Sequence, residues 1–272
     1  MPLTYEKSGP VATFTIDNGK VNVFTPAMHK QLFDALKDFL ADPDLHVGIL
    51  AGTEGRSFCA GDDIKTPLPE LTPHEALAAH LSPHIHERDK GLTRPGWEQD
   101  VMRLRRNKPI IGAVDRYCLG QGLIYLLMLT DIRLATPEAE FGFPEIAYGM
   151  GGAGGLTRLG RHIPHALAME MLLLGERVGA QKAREVHLVN RIVPREVLMS
   201  EARTVASTIA NHPPVAVQVE MEAYARGMDM SAEQAADYAG ALFRFQRVAY
   251  GGPGKGTGFF GKDQNAKKET GK

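Results

Sequence analysis

The sequence predicts an α/β fold in which strands and helices alternate up to Pro194 and helices alone follow. Short apolar runs of strand length recur in the first part, and apolar residues at helical spacing lie between them. Beyond Pro194, three segments with helical patterning remain. We therefore divide the chain into a layered core at 1–194, a helical C-terminal region at 195–250 and a Gly- and Lys-rich tail at 251–272.

The first predicted elements are a strand at 11–16 and a helix that begins after Thr25. Turn sequences at 8–10 and 17–19 bound the strand. Thr25 can cap the helix, and Pro26 suits its first position. The helix carries apolar residues at every fourth position, as on a buried face: Met28, Leu32, Leu36 and Leu40.

The following elements come from short apolar runs and turn signals. Strands are predicted at 47–51, 110–114, 132–135, 140–142 and 189–193, and a buried helix is predicted at 122–129. The later helices are predicted at 195–211, 215–226 and 231–250. Ser231 and Gln234 have the spacing of a capping box, which marks the start of the last helix.

Composition excludes several classes of protein. The 272 residues are 43% hydrophobic, which allows a sizeable core, and the formal net charge of -1 gives no general attraction to nucleic acid or anionic membranes. The two cysteines, Cys59 and Cys118, are too few for a disulfide framework, and we expect both to be small core residues. No signal peptide is evident, and the most apolar stretch, 123–129, is too short to span a bilayer. These features predict a cytoplasmic protein.

The stretch Thr66–Trp97 carries four histidines. His80 and His84 could share one face of a helix and bind a metal, but Pro83 interrupts the register and no third ligand completes the set. A solvated helix or loop is the favoured interpretation, and we predict no metal site.

Two glycine-containing turns could carry chemistry. One is Ala60-Gly61-Asp62-Asp63, and the other is Gly120-Gln121-Gly122, which opens an apolar helix. Exposed N–H groups at a helix start favour negative charge, and two such turns that converge would form an oxyanion hole. Their spacing does not show that they converge, and each one alone is more typical of an ordinary tight turn.

Glu145 follows Pro144, which restricts the local backbone, and precedes the cluster Gly151–Gly155. A surface or capping glutamate is the simpler interpretation of this pattern alone. The glycine cluster lacks the Lys-Ser/Thr pair of a phosphate-binding P-loop, so close packing or loop mobility is favoured there.

An ordered series of motifs resembles the crotonase (enoyl-CoA hydratase/isomerase) superfamily. The series runs from about Val11 to Val193 and comprises segments 58–65, 108–123, 131–135, 141–145, 154–159, 174–177 and 188–193. The resemblance implies a spiral core of ββα units, a C-terminal helical region that forms a homotrimer or dimer of trimers, and an acyl-CoA thioester substrate. It implies no further cofactor, since CoA is part of the substrate.

The resemblance also implies roles for individual residues. The backbone N–H groups of Asp62 and Gln121 would form the oxyanion hole, and Glu145 would act as the catalytic acid/base. Further substrate or CoA contacts would come from Ala60, Lys65, Gly120, Phe259 and Lys262. For the last two, a disordered tail is an equally good interpretation.

One position departs from the family pattern. Hydratases of this family use two glutamates around one water, and the first of them corresponds to Ile124. A single base can still remove a proton at one carbon and return it at another, which moves a double bond. We therefore expect an enoyl-CoA isomerase, with a hydratase or another lyase as the alternative. Ala153 stands near the position of the extra acid of dienoyl isomerases, which disfavours that subtype.

Two further classes are weaker. An RNA-binding relative would need a basic stripe, but Lys30 and Lys37 are offset by Asp34 and Asp38 on the first helix. A carbon–carbon hydrolase that acts without CoA is a further alternative, and CoA-dependent thermal stabilisation would distinguish it.

Overall fold

A computed structural model of the chain describes residues 2–65, 70–81 and 96–249. The strands are β1 (Leu3–Ser8), β2 (Val11–Ile16), β3 (Val23–Phe24), β4 (Val47–Gly52), β5 (Gly61–Asp62), β6 (Ile110–Val114), β7 (Tyr117–Leu119), β8 (Ile132–Ala135), β9 (Glu140–Gly142), β10 (Val178–Gly179) and β11 (Arg191–Ile192). The helices are α1 (Pro26–Ala41), α2 (Pro73–Leu81), α3 (Trp97–Arg103), α4 (Gln121–Leu129), α5 (Ala153–Thr157), α6 (His165–Leu173), α7 (Ala180–Glu185), α8 (Leu198–Ala210), α9 (Pro214–Gly227) and α10 (Ala232–Ala249).

The main sheet has six strands in the order β1-β2-β4-β6-β8-β11. The β1–β2 pair is antiparallel, and the remaining neighbours are parallel. A second sheet has the order β10-β9-β7, and β3 pairs with β5 in a third. The two small sheets carry the turns that the sequence singled out.

Helices cover both faces of the main sheet. On one face Phe14 of β2 packs edge-to-face against Phe39 of α1, with ring centroids 5.7 Å apart. On the other face Ile49 of β4 belongs to a buried cluster with Ala202 and Ala206 of α8. Strand β4 is therefore buried on both faces, which explains its continuous apolar sequence.

Helix ends follow the sequence signals. Thr25 Oγ1 accepts a hydrogen bond from the Met28 N–H at 3.3 Å at the start of α1. Before α10, Ser231 N–H donates to Gln234 Oε1 at 3.2 Å and Gln234 N–H donates to Ser231 Oγ at 3.3 Å. The predicted cap and the predicted capping box are both confirmed.

Several elements differ from expectation. Strand β1 was not predicted, because its sequence is largely polar at an exposed edge where Lys7 is tolerated. The strand predicted at 189–193 is confined to Arg191–Ile192. The helix predicted from residue 195 begins with a 3₁₀ turn at Arg195–Val197 and becomes α-helical at Leu198. Within the described residues, no helix is both long and apolar enough to cross a bilayer.

Candidate active site

Three chain segments run side by side where the site residues lie. Leu119 of β7 pairs with Gly142 of β9, and Cys118 forms a parallel bridge with Cys59. The three segments continue directly into Gly61, Gly120 and Glu145. Their common pairing brings together residues that are up to 84 positions apart in sequence.

The two glycine turns converge. A Cβ atom on Gly61 would lie 3.6 Å from the Leu119 carbonyl oxygen and 4.0 Å from the Gln121 backbone nitrogen. A Cβ atom on Gly120 would lie 3.7 Å from Gly61 Cα. Both glycines have positive φ, +113° and +51°, which favours residues without a Cβ. The structure thus supplies the proximity that sequence spacing left open.

The helix start faces this junction. Helix α4 begins at Gln121, so its first backbone N–H groups have no carbonyl one turn earlier in the helix. On the adjoining turn, Asp62 is the last residue of β5. The next residue, Asp63, donates its backbone N–H to the Phe24 carbonyl at 2.7 Å, which holds this strand end against β3. The chain therefore presents a strand residue and a helix N-terminus at one place, an arrangement suited to a developing negative charge.

Glu145 lies on a 3₁₀ helix, Pro144–Tyr148, that follows β9. A Cβ atom on Gly120 would lie 3.3 Å from Glu145 Oε2. That oxygen is buried, and no hydrogen-bond donor reaches it from the residues that the structure describes. Burial, with a smaller contribution from the negative charge of Asp62, raises the pKa of the Glu145 carboxyl above its usual value of 4.5. The carboxyl can therefore exchange protons closer to neutral pH than a surface glutamate can.

Ile124 is 8% exposed and belongs to the apolar core. Its backbone N–H donates to the Gly120 carbonyl at 3.0 Å, so it lies one turn into α4. Ala153 is also apolar and opens α5. At both positions where the resemblance implies an acid, this chain has a side chain that cannot carry a proton.

The far end of α4 is held by a buried cation. Arg133 donates from Nη2 to the carbonyls of Leu127 and Thr130, at 3.4 and 3.1 Å. Its burial lowers the pKa of the guanidinium to about 10. A cation at the C-terminus of a helix stabilises it, and here it fixes the end opposite Gln121.

A buried amide holds the segment before Asp62. Asn22 Nδ2 donates to the carbonyls of Ile16 and Ser57, at 2.9 and 2.7 Å. Asn22 Oδ1 accepts from the Asn18 N–H at 2.8 Å. Asn22 is fully buried. It therefore joins the end of β2 to the segment that leads into β5.

The remaining predicted contact residues occupy varied positions. The Ala60 N–H donates to the carbonyls of Val21 and Asn22, and the Gly120 N–H donates to the Gly142 carbonyl. Their N–H groups are therefore engaged within the fold. Lys65 is exposed, at the end of a described segment. Phe259 and Lys262 lie outside the described residues, as does His84.

The cysteines and the glycine cluster have structural roles. Cys59 and Cys118 are fully buried free thiols, and burial raises the pKa of Cys59 to about 12. A Cβ atom on Gly154 would lie 2.3 Å from a methyl carbon of Leu172, so Gly154 packs closely, whereas Gly151, Gly152 and Gly155 have open space at that position. No group of three or more His, Cys, Asp or Glu side chains that could hold a metal occurs within 2–65, 70–81 and 96–249.

His29 was not identified from the sequence. It is 1% exposed, and its ring lies between Asp62 and Tyr125. It follows Met28 on the buried face of α1, where a histidine is an exception among apolar residues. A histidine on a predicted buried face was therefore the sequence signal that could have identified this residue.

Comparisons with known proteins agree with the fold. The family model described as enoyl-CoA hydratase/isomerase matches residues 6–246. Curated relatives include (E)-benzylidenesuccinyl-CoA hydratase of Thauera aromatica, 34% identical over 245 residues (89% of this chain and 90% of the relative). Carnitinyl-CoA dehydratase of Escherichia coli K12 is 30% identical over 247 residues, covering 90% of this chain and 88% of the relative.

Solved structures give the same result. An enoyl-CoA hydratase/isomerase from Mycobacterium paratuberculosis superimposes with a TM-score of 0.76 at 28% identity and covers 91% of each chain. An enoyl-CoA hydratase from Mycobacterium smegmatis also gives 0.76, at 25% identity, with 91% of each chain covered. The crotonase-like α/β fold with a helical C-terminal region, expected from the motifs, is confirmed. By sequence and by fold, this chain is an enzyme of the enoyl-CoA hydratase/isomerase family.

Proposed function

We propose that this enzyme moves the double bond of an enoyl-CoA, with Glu145 as its single acid/base. One observation carries the proposal. The buried Oε2 of Glu145 faces the junction of the two glycine turns, while the position of the family's other acid is the apolar Ile124. The arrangement offers one proton carrier beside one site for negative charge.

The reaction follows from that arrangement. The Glu145 carboxylate takes a proton from C2 of a 3-enoyl-CoA, and the resulting negative charge spreads onto the thioester oxygen. The backbone N–H groups of Asp62 and Gln121 donate to that oxygen. The protonated Glu145 then gives the proton to C4, which leaves the double bond between C2 and C3. The atoms and charges balance without a second acid.

The electrostatics favour this use of Glu145. Its raised pKa brings the carboxyl closer to the pH at which it can both accept and return a proton. Removal of one preorganised donor from an oxyanion hole typically costs about 3–4 kcal/mol in the transition state. The N-terminus of α4 adds its positive partial charge near the same oxygen.

A hydratase or dehydratase is the second candidate, because several relatives carry those names. Addition of water requires a proton to be taken from water and a proton to be delivered to C2, which two carriers do more easily than one. Tyr125 does not suit this role, since its hydroxyl is buried against His29. Tyr148 lies on the same 3₁₀ helix as Glu145 and is 72% exposed, so it can meet solvent.

The proposal extends to CoA and to assembly. Lys65 is exposed and can approach the CoA phosphates. Helices α9 and α10 expose large apolar side chains, including Tyr224, Phe243, Phe245 and Val248. Covering these side chains would stabilise the trimer that the family resemblance implies. Light scattering of the purified protein tests the assembly directly.

The central test is Glu145→Gln, which keeps shape and removes proton exchange. We expect turnover of a 3-enoyl-CoA to fall by about 100-fold or more, as for other general acid/base groups. Glu170→Gln, an exposed change on α6, is the matched control. Crotonyl-CoA hydration is measured in parallel. Unchanged isomerisation in a folded Glu145→Gln protein rules out the proposed role, and hydration at a comparable rate favours the second candidate.

A further inference from the structure

A buried polar chain links the two turns of the site through His29. His29 Nδ1 lies 2.6 Å from the Tyr125 hydroxyl, and His29 Nε2 lies 3.2 Å from Asp62 Oδ1. Tyr125 belongs to α4, four residues after Gln121, and Asp62 belongs to β5. One imidazole on α1 therefore contacts both elements that would carry the oxyanion donors.

Aromatic packing fixes the imidazole in place. The His29 ring stacks on Phe24 with centroids 5.2 Å apart and an interplanar angle of 14°. Tyr125 lies edge-on to both rings, with centroid distances of 5.1 and 5.7 Å. All three side chains are at most 1% exposed. The ring can therefore hold a directed contact at low entropic cost.

A proton on Nε2 suits both neighbours of the ring, the Tyr125 hydroxyl at Nδ1 and the Asp62 carboxylate beside Nε2. Burial raises the pKa of the Tyr125 hydroxyl well above its usual value, so the hydroxyl keeps its proton and can donate to Nδ1. A neutral imidazole that accepts at Nδ1 carries its proton on Nε2, and an imidazolium carries one there as well. In both cases the proton on Nε2 lies on the side of Asp62 Oδ1, 3.2 Å away, in an electrostatic contact that lacks the alignment of a hydrogen bond.

That contact matters because a carboxylate beside an oxyanion hole opposes its function. The negative charge of Asp62 already contributes to the raised pKa of Glu145, so the two carboxyls interact. The same charge would repel an enolate oxygen held by the Asp62 N–H. Asp62 Oδ1, however, is buried on the side of His29.

We propose that His29 is a positioning residue that holds the Asp62 carboxylate toward the core and offsets its charge, so that the Asp62 backbone can serve an enolate. The inference rests on the proposed function. It predicts that His29 affects binding of a charged enolate far more than binding of a neutral thioester. It also predicts that His29 becomes dispensable once the carboxylate is removed.

The experiment uses two ligands and a double-mutant cycle. Acetoacetyl-CoA supplies an enolate and is followed by ultraviolet absorbance, and butyryl-CoA supplies a neutral thioester. We expect His29→Leu to weaken acetoacetyl-CoA binding by about tenfold or more, the effect of one lost charge interaction, with butyryl-CoA binding within about twofold. His29→Gln, whose amide can still donate to Asp62, retains most of the affinity. In the Asp62→Ala background, His29→Leu produces no further loss.

Thermal melts confirm that each variant is folded. If His29→Leu does not fold, Tyr125→Phe is used instead, because it is nearly isosteric and removes only the hydroxyl that contacts His29 Nδ1. We expect a smaller loss of acetoacetyl-CoA affinity, again with butyryl-CoA binding little changed. Equal losses for both ligands, an undiminished loss in the Asp62→Ala background, or no difference between the Gln and Leu variants would overturn the inference. Wild-type protein that binds neither thioester overturns the proposed function and this inference together, whereas wild-type binding with unaffected variants overturns this inference alone.

Discussion

Gly120 and Glu145 approach each other so closely that a Cβ atom on Gly120 would lie 3.3 Å from Glu145 Oε2. The distance is shorter than most contacts of real Cβ atoms, and the φ of Gly120, +51°, also disfavours a side chain. The position of the Glu145 carboxyl and the backbone conformation of the neighbouring turn are therefore linked.

Gly120→Ala tests that link. We expect kcat/KM to fall by about 10- to 100-fold, because a displaced carboxyl no longer meets the substrate correctly. Gly9→Ala is a matched control, since Gly9 has nearly the same φ, +54°, with open space around its Cβ position. The positive φ at each position should lower the free energy of unfolding by about 1–2 kcal/mol, and Gly120→Ala should cost more because the ψ of Gly120, -123°, lies outside the left-handed helical region. Steady-state kinetics and thermal melts separate the two effects, and equal activity of the two variants would contradict the prediction.

The raised pKa of Glu145 predicts the acid side of the pH profile. The proposed mechanism needs the Glu145 carboxylate, so we expect kcat/KM to fall as pH decreases through a pKa above 4.5. Asp62→Asn removes a negative charge that raises this pKa, and the midpoint should move to lower pH. The measurement is kcat/KM against pH for both proteins. An unchanged midpoint would show that the negative charge of Asp62 does not affect the pKa of Glu145.

The same shift has a consequence for stability. Because the folded-state pKa of Glu145 lies above its unfolded value, the native state binds more protons between the two values. Its contribution to the free energy of unfolding is complete below the unfolded pKa and is lost as pH rises through the folded one. Glu145→Gln should therefore flatten the pH dependence of chemical denaturation in that window, and the unchanged slope of a surface variant such as Glu170→Gln serves as comparison.

Ile124→Glu restores an acid at the position where the family pattern has one. We expect crotonyl-CoA hydration to rise relative to isomerisation, because a second carboxyl can handle the proton of water. Ile124 is buried, so the change should lower stability by about 1–3 kcal/mol. Ile124→Gln has the same shape without the acid and should show the stability loss alone. A hydration rate that does not differ between these two variants would argue against the second acid as the missing element.

Two helical glycines should respond to alanine in opposite ways. A Cβ atom on Gly122 would lie 2.7 Å from both Cβ and the carbonyl oxygen of Cys59, so Gly122→Ala forces α4 away from that segment. We expect a loss of about 1–3 kcal/mol in unfolding free energy. Gly155 in α5 has open space around it, so Gly155→Ala should raise stability by about 0.5–1 kcal/mol. Chemical denaturation of both variants checks the contrast.

The sequence predicted those elements whose patterns are local. Helix α1 has its cap at Thr25 and its apolar stripe, and β4 has a continuous apolar run between turns. Glu145 emerged from the order of the motifs. The two elements depend on residues a few positions apart, which a local pattern records. Glu145 was identified only because its motif has its place in a series that extends along the chain.

The sequence could not show what depends on distant pairing. The proximity of Gly61 and Gly120 follows from the bridge between Cys59 and Cys118, which no local pattern encodes. Strand β1 is recognisable only through its partner β2. His29 could not be singled out because its contact with Tyr125 joins residues 96 positions apart.

Because of the Asn22 amide, the segment that leads to Asp62 loses its conformational entropy during folding and not during ligand binding. The amide ties the end of β2 to Ser57 with hydrogen bonds that form as the chain folds. The segment that leads to Asp62 is therefore ordered before any thioester arrives. Its ordering then adds no entropic cost at binding, which is the thermodynamic advantage of a preorganised site over one that closes around its ligand.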